Sequence, residues 1–95
     1  MPNNDLLKDL RNELLSPSLS LSYNDPIHVV KGKEQYLFDH EGKKYLDGIN
    51  NIQHVGHCHP RIANAAFKQL QVLNTNTRYL DHTILEYSKA LTKKL

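Results

Sequence analysis

The chain has 95 residues, enough for one domain at most or for a segment of a larger one. Twelve Lys and Arg against ten Asp and Glu leave a formal charge of +2, too balanced and too scattered to form a nucleic-acid surface. One Cys excludes an internal disulfide framework, and no apolar run approaches the roughly 18–20 residues of a membrane span.

Residues 4–15 come first and have the period of an amphipathic helix. Leu6, Leu7, Leu10 and Leu14 recur at helical spacing, with Lys8, Asp9, Asn12 and Glu13 opposite, and Asn4 is the expected N-cap. About three turns is marginal for an isolated helix, so the leucine stripe needs a partner surface. Ser16-Pro17-Ser18-Leu19-Ser20-Leu21-Ser22 reads as a linker, because Pro17 stops the helix and the serines favour local side-chain to backbone bonds.

Three short strands are expected next, over Ile27 to Lys31, Gln35 to Asp39 and Lys44 to Leu46. Gly32-Lys33 punctuates the first pair, and Asp39-His40-Glu41-Gly42 turns the second, with Gly42 free to take positive φ. Tyr36 and Phe38 fall on one face and Leu37 on the other. The product is a small antiparallel meander, a unit barely stable alone in water.

Asp47 to Gly56 has no period and reads as loop. Pro60 suits the first position of a helix, and Ile62, Ala63, Ala66, Phe67, Leu70 and Leu73 continue its apolar face. The polar run Asn74 to Arg78 breaks that helix. Asp81 is the expected N-cap of a last helix carrying Ile84, Leu85, Ser88, Leu91 and Leu95, with Thr83 and Glu86 offering a competing capping box. That helix reaches Leu95 without a C-cap glycine, so the expectation is a cut end. The architecture is α+β: an N-terminal helix, a three-stranded antiparallel meander, then two helices. An apolar fraction of 39% is lean for a self-sufficient globule and implies surface that something else covers. The N-terminus has no signal-peptide pattern, so the expected location is the cytoplasm.

The run Ile49 to Pro60 holds His54, His57, Cys58 and His59. By residue type this is a metal-site candidate. Zinc needs four converging ligands, however, and adjacent side chains diverge, with no Cys-x-x-Cys spacing present. The structural alternative is a tight loop-to-helix junction that uses Gly56 for close backbone approach and Pro60 to start the helix. His57 and His59 are assigned to that junction. A standalone binding or metal module remains one of the open readings.

The order of these motifs carries more information than any one of them. Lys31-Gly32-Lys33 precedes the run Tyr36-Leu37-Phe38-Asp39-His40-Glu41-Gly42-Lys43-Lys44-Tyr45-Leu46-Asp47. Gly56-His57-Cys58-His59-Pro60 follows, then a helix with Ala65-Ala66 and Gln69. This succession resembles the N-terminal part of class III aminotransferases, and the resemblance runs from about Tyr23 to Leu95. It implies a segment of a fold type I enzyme that uses pyridoxal 5′-phosphate and acts as a homodimer. The implied organisation is a helix and Ser-rich linker over 1–22 and a truncated aminotransferase class III domain over 23–95.

The stretch Ile49 to Pro60, with Asn50-Asn51 where most of the class carries a small-residue element, together with Leu73 to Leu80, looks like the phospholyase branch. Enzymes of that branch eliminate phosphate and ammonia from ethanolamine phosphate or 5-phosphohydroxylysine. The departing dianion needs hydrogen-bond donors and positive charge. The resemblance thus implies a small phosphorylated amine as substrate, with Asn50, Asn51, Arg78, Tyr79 and Tyr23 as candidate binding residues and Asn74 and Asn76 as further amides. For the asparagines the alternative is satisfaction of loop backbone; for Arg78 it is a surface ion pair. The family's Schiff-base lysine lies in a downstream motif that no segment here matches, so no catalytic residue is expected in this chain. A true transaminase acting on an ω-amine is the second reading.

Overall fold

The computed structural model describes residues 3–95. It contains helix α1 (Asn4–Leu14), strands β1 (Val29–Lys33), β2 (Tyr36–Asp39) and β3 (Lys44–Leu46), and helices α2 (Pro60–Val72) and α3 (His82–Lys94). The α+β arrangement is the expected one. The chain divides into two compact units, Met1–Ala63 and Asn64–Leu95.

In the first unit, α1 is capped by Asn3 and not by Asn4. The Asn3 backbone is extended, and its Oδ1 accepts the Leu6 N–H at 2.8 Å. Its carbonyl already accepts the Leu7 N–H at 3.2 Å, which makes Asn4 the first helical residue. Asp5 in the first turn and Arg11 in the last complement the helix dipole. Arg11 Nη2 donates to the Leu19 carbonyl at 3.2 Å and so ties the linker back to the helix. Leu7, Leu15, Leu21 and Ile27 then line a cavity of about 310 Å³ along that seam.

The sheet has the order β1-β2-β3, antiparallel throughout. The first hairpin differs from expectation. β1 continues through Gly32 and Lys33, with Lys33 opposite Tyr36, so the turn falls on Glu34 and Gln35. Glu34 takes a positive φ of 54° to close it. Gly32 is spent on space rather than on turning, since a Cβ there would lie 2.9 Å from His57 Cβ. A register shift between Val29 and Lys31 marks a bulge, beside which the His28 and His40 rings stack at 5.2 Å.

The second turn is as expected, with Gly42 at φ 84°. Asp39 organises it: Oδ1 accepts the Glu41 and Lys43 N–H groups, both at 2.9 Å, and Oδ2 accepts the Tyr45 hydroxyl at 2.9 Å. Burial opposes ionisation of Asp39, but the Lys43 amide, the Tyr45 hydroxyl and the Glu41 amide outweigh it and hold its pKa below the ordinary value. The same hydroxyl bond pushes the Tyr45 pKa up.

The two sheet faces differ. One carries Tyr36 and Phe38, with Lys31 Nζ 5.2 Å from the Phe38 ring centroid and Lys44 Nζ 4.3 Å from that of Tyr36. Gly32, Leu37 and Tyr45 occupy the other, being cross-strand neighbours in register.

Beyond the sheet, Glu34 and His57 exchange backbone bonds, Glu34 N–H to His57 O at 3.2 Å and His57 N–H to Glu34 O at 2.7 Å. Gly56 sits at φ 95°, and a Cβ there would meet the Glu34 backbone at 2.8 Å. Close approach at this junction therefore requires glycine. Pro60 opens α2 as expected, and His59 caps it: Nδ1 accepts the Arg61 N–H at 3.2 Å and the carbonyl accepts the Ala63 N–H at 3.0 Å.

In the second unit, Gln69 Nε2 donates to the Leu73 carbonyl at 2.7 Å as α2 ends. Asp81 caps α3, as expected, by accepting the Thr83 N–H at 2.7 Å. That bond holds the Asp81 pKa below its ordinary value. Among the described residues no apolar side chain is buried, and Phe67, Leu70 and Leu85 remain about two-thirds exposed. No helix is long and apolar enough to cross a membrane among the described residues.

Candidate functional site

The Leu37–Tyr45 face of the sheet forms the floor of a cavity of about 530 Å³. Its wall is completed by Tyr23 from the segment before β1 and by Asp47 and Asn50 from the loop after β3. Tyr23 is held at φ 70°, a backbone that bulky residues rarely adopt, and its side chain is largely exposed.

Asp47 organises this wall. Its N–H donates to the Gln35 carbonyl at 2.9 Å, which fixes the loop to the β1–β2 turn. Its Oδ1 accepts the Ile49 N–H at 3.1 Å, the Asn50 N–H at 3.0 Å and the Asn50 Nδ2–H at 3.0 Å. Its Oδ2 faces His57 Nε2 at 2.6 Å. A carboxylate only accepts, so His57 carries its proton on Nε2 whether the ring is neutral or charged. The Asn50 amide first, then the Ile49 amide, with His57 and the Asn50 side chain adding to them, lower the Asp47 pKa from 3.8 to about 2 against the opposing effect of burial. The Asp47 side chain is only 3% exposed, beneath an exposed Asn50.

Of the five binding candidates, Tyr23 and Asn50 meet at this cavity. Asn51 follows Asn50 on the exposed loop, and its side chain makes no hydrogen bond among the described residues. Arg78 and Tyr79 belong to the second unit. There Asn76 Oδ1 accepts the Arg78 N–H at 2.9 Å and Nε–H at 3.4 Å, while Tyr79 is exposed. Asp47 is the residue that sequence reasoning passed over. Its signal was the Asp-Gly-x-Asn spacing of an Asx-type turn, read simply as loop.

Two members of the histidine-rich run make side-chain hydrogen bonds. His57 Nε2 is engaged by Asp47 and His59 Nδ1 by Arg61. No three His, Cys, Asp or Glu side chains converge on a common point among the described residues.

Residues 20–95 match the family model of class III aminotransferases. The chain belongs to this family. It is 42% identical over 87 residues to an alanine–glyoxylate aminotransferase 2-like protein of Drosophila melanogaster, covering 90% of this chain and 18% of that protein. It is 33% identical over 91 residues to ethanolamine-phosphate phospho-lyase homolog 1 of Caenorhabditis elegans, covering 96% of this chain and 20% of that protein. A phospholyase from Arthrobacter, solved in complex with phosphoethanolamine, superimposes with a TM-score of 0.78 at 42% identity, over 94% of this chain and 21% of that one. The chain thus spans about a fifth of the length of the curated relatives it matches. Its helices and sheet are a segment of the class III aminotransferase fold.

Proposed function

We propose that this segment belongs to a phospholyase of the class III aminotransferase family, which eliminates phosphate and ammonia from a small phosphorylated amine. The observation that carries the reading is the likeness, at 42% identity and a TM-score of 0.78, to a phospholyase holding phosphoethanolamine. The cavity lends chemical support, because its wall combines an amide donor, Asn50, with the aromatic Tyr23.

In this reading pyridoxal phosphate supplies the electron sink when bound. The segment's own residues recognise the phosphate end of the substrate. Asn50 spends one amide hydrogen on Asp47 and keeps the second for a phosphate oxygen. Asn51 adds an uncommitted amide. Arg78 leaves its two terminal nitrogens for charge-assisted bonds, since only its Nε and backbone N–H engage Asn76. Tyr23 lines the cavity, and Tyr79 is a further candidate contact.

The cofactor lysine is assigned outside this segment. None of the nine lysines is buried: Lys68, Lys89, Lys93 and Lys94 stand exposed on helix faces, Lys31, Lys33, Lys43 and Lys44 are exposed in or beside the sheet, and Lys8 is half-buried on α1, whereas a lysine that condenses with a carbonyl at neutral pH is activated by desolvation or by a cationic neighbour. The isolated 95-residue chain is accordingly inactive. The working assembly is a cytoplasmic homodimer, in keeping with the free, exposed thiol of Cys58.

A true transaminase, with an ω-amine as the substrate the resemblance implies, is the second reading; the 42% identity to the Drosophila aminotransferase-like protein favours amino transfer. One assay separates the two. The full-length enzyme is given ethanolamine phosphate, with and without a keto-acid acceptor. Acceptor-independent release of inorganic phosphate is the expected result; amino transfer without phosphate release overturns the phospholyase reading.

A further inference from the structure

Asn50 is an exposed residue on a loop with no regular structure around it. A lone asparagine there would sample several rotamers and either orientation of its amide, and would be a poor recognition group. Asp47 removes that freedom. One carboxylate oxygen takes the Ile49 and Asn50 backbone N–H groups and the Asn50 side-chain amide together. Only the nitrogen of the amide can face a carboxylate, so the amide orientation is fixed and its second N–H has a set direction.

His57 locks the carboxylate in turn. Its Nε2 lies 2.6 Å from the other oxygen. The ring itself cannot shift freely, because its Cβ and Cγ lie over Gly32 and its backbone is paired in both directions with Glu34. Rigidity therefore passes from the β1–β2 hairpin through His57 and Asp47 to the Asn50 amide. Four bonds spread the carboxylate's charge, and the backbone bond from the Asp47 N–H to the Gln35 carbonyl helps fix the loop. Binding groups held this way lose less entropy on meeting a ligand than groups on a mobile loop.

We propose that Asp47, clamped by His57, is a positioning residue that aims the Asn50 amide at the phosphate group of the substrate. This rests on the phospholyase reading above and adds a residue that neither motif nor composition had singled out. Asp47 does not touch the substrate; it acts through Asn50.

The test is a double-mutant cycle on phosphate release from ethanolamine phosphate by the full-length holoenzyme. Asn50→Ala is expected to lower kcat/KM about tenfold, the scale of one lost hydrogen bond to a charged group, and Asp47→Asn by less, since its amide oxygen still accepts but without the charge. The double variant is expected to fall no further than the worse single, because Asp47 matters through Asn50. A purely structural Asp47 gives instead a loss that persists in full in the Asn50→Ala background, and that additive result overturns the proposal. So does an Asn50→Ala enzyme with unchanged kcat/KM. Should Asp47→Asn fail to fold, His57→Gln replaces it in the same cycle, keeping an amide donor toward Asp47. Its smaller loss, about two- to threefold, is expected to vanish in the Asn50→Ala background. Failure of the underlying reading is visible separately, as a wild-type enzyme that releases no phosphate.

Discussion

Gly32 lies directly beneath His57: a Cβ built on Gly32 would stand 2.9 Å from His57 Cβ and 3.0 Å from Cγ. The first hairpin and the loop-to-helix junction meet there because one residue has no side chain. Gly32→Ala must push the imidazole off its position and with it the bond to Asp47. The expected cost is about 1–3 kcal/mol, the range for overpacking a tight contact. Denaturant unfolding of the full-length enzyme measures it. Gly56→Ala should cost more, since its Cβ meets Glu34 backbone at 2.8 Å and its φ of 95° disfavours any side chain. Equal or smaller loss at Gly56 would contradict the geometry.

Asp47 makes the stability of this region acid-sensitive. Its folded pKa of about 2 lies below its ordinary 3.8, so its contribution is present in full above about pH 4 and is lost as pH falls toward 2. Carboxyl carbon NMR of Asp47 should show a titration midpoint near 2. In Asp47→Asn that part of the acid transition should flatten. A midpoint near 4 in the native protein would show that the amide and imidazole bonds do not stabilise the ionised form.

The cap of α1 separates two adjacent asparagines. Asn3→Ala removes the acceptor of the Leu6 N–H and should cost the helix about 1 kcal/mol. Asn4→Ala, one position inside, replaces a poorer helix former by a better one and should leave the cap intact. Amide hydrogen exchange at Leu6 reads the difference: faster in Asn3→Ala, unchanged in Asn4→Ala. The reverse pattern would return the cap to Asn4.

The isolated chain offers pyridoxal phosphate nine lysines, eight of them exposed and Lys8 half-buried. After borohydride reduction, peptide mapping should find scattered, substoichiometric labelling with no preferred site. A single stoichiometric adduct at one lysine would refute the assignment of the cofactor lysine to another part of the parent enzyme.

The parts of the fold legible in the sequence are those held by near neighbours. The leucine period of α1, the Pro60 start of α2, the Asp81 cap of α3 and the Gly42 turn are interactions within about four residues, and a residue's type announces them. The ordered motifs also carried the family. Two local expectations failed where a neighbour competed for the same role. Asn3 took the cap from Asn4 because its carbonyl was already within reach of the Leu7 N–H. Gly32 looked like a turn residue because glycine permits turns, yet its missing side chain serves a contact with His57, far away in sequence.

The candidate site was half legible for the same reason. Asn50 and Tyr23 were singled out by residue type and by resemblance, but nothing near them in the chain says that they share a cavity. Asp47 showed only its turn-forming side, since its backbone donors lie two and three residues on. Its second oxygen waits for His57, ten residues away, which β1, β2 and the Gly56 bend bring to within 2.6 Å. By itself the sequence determined the elements, their order and the family, because periodicity, caps and turns are short-range physics. Tertiary structure alone decided which histidine meets which carboxylate and which cavity Asn50 lines, because that bond and that wall form only once strand pairing and a glycine-sized gap have brought distant segments together.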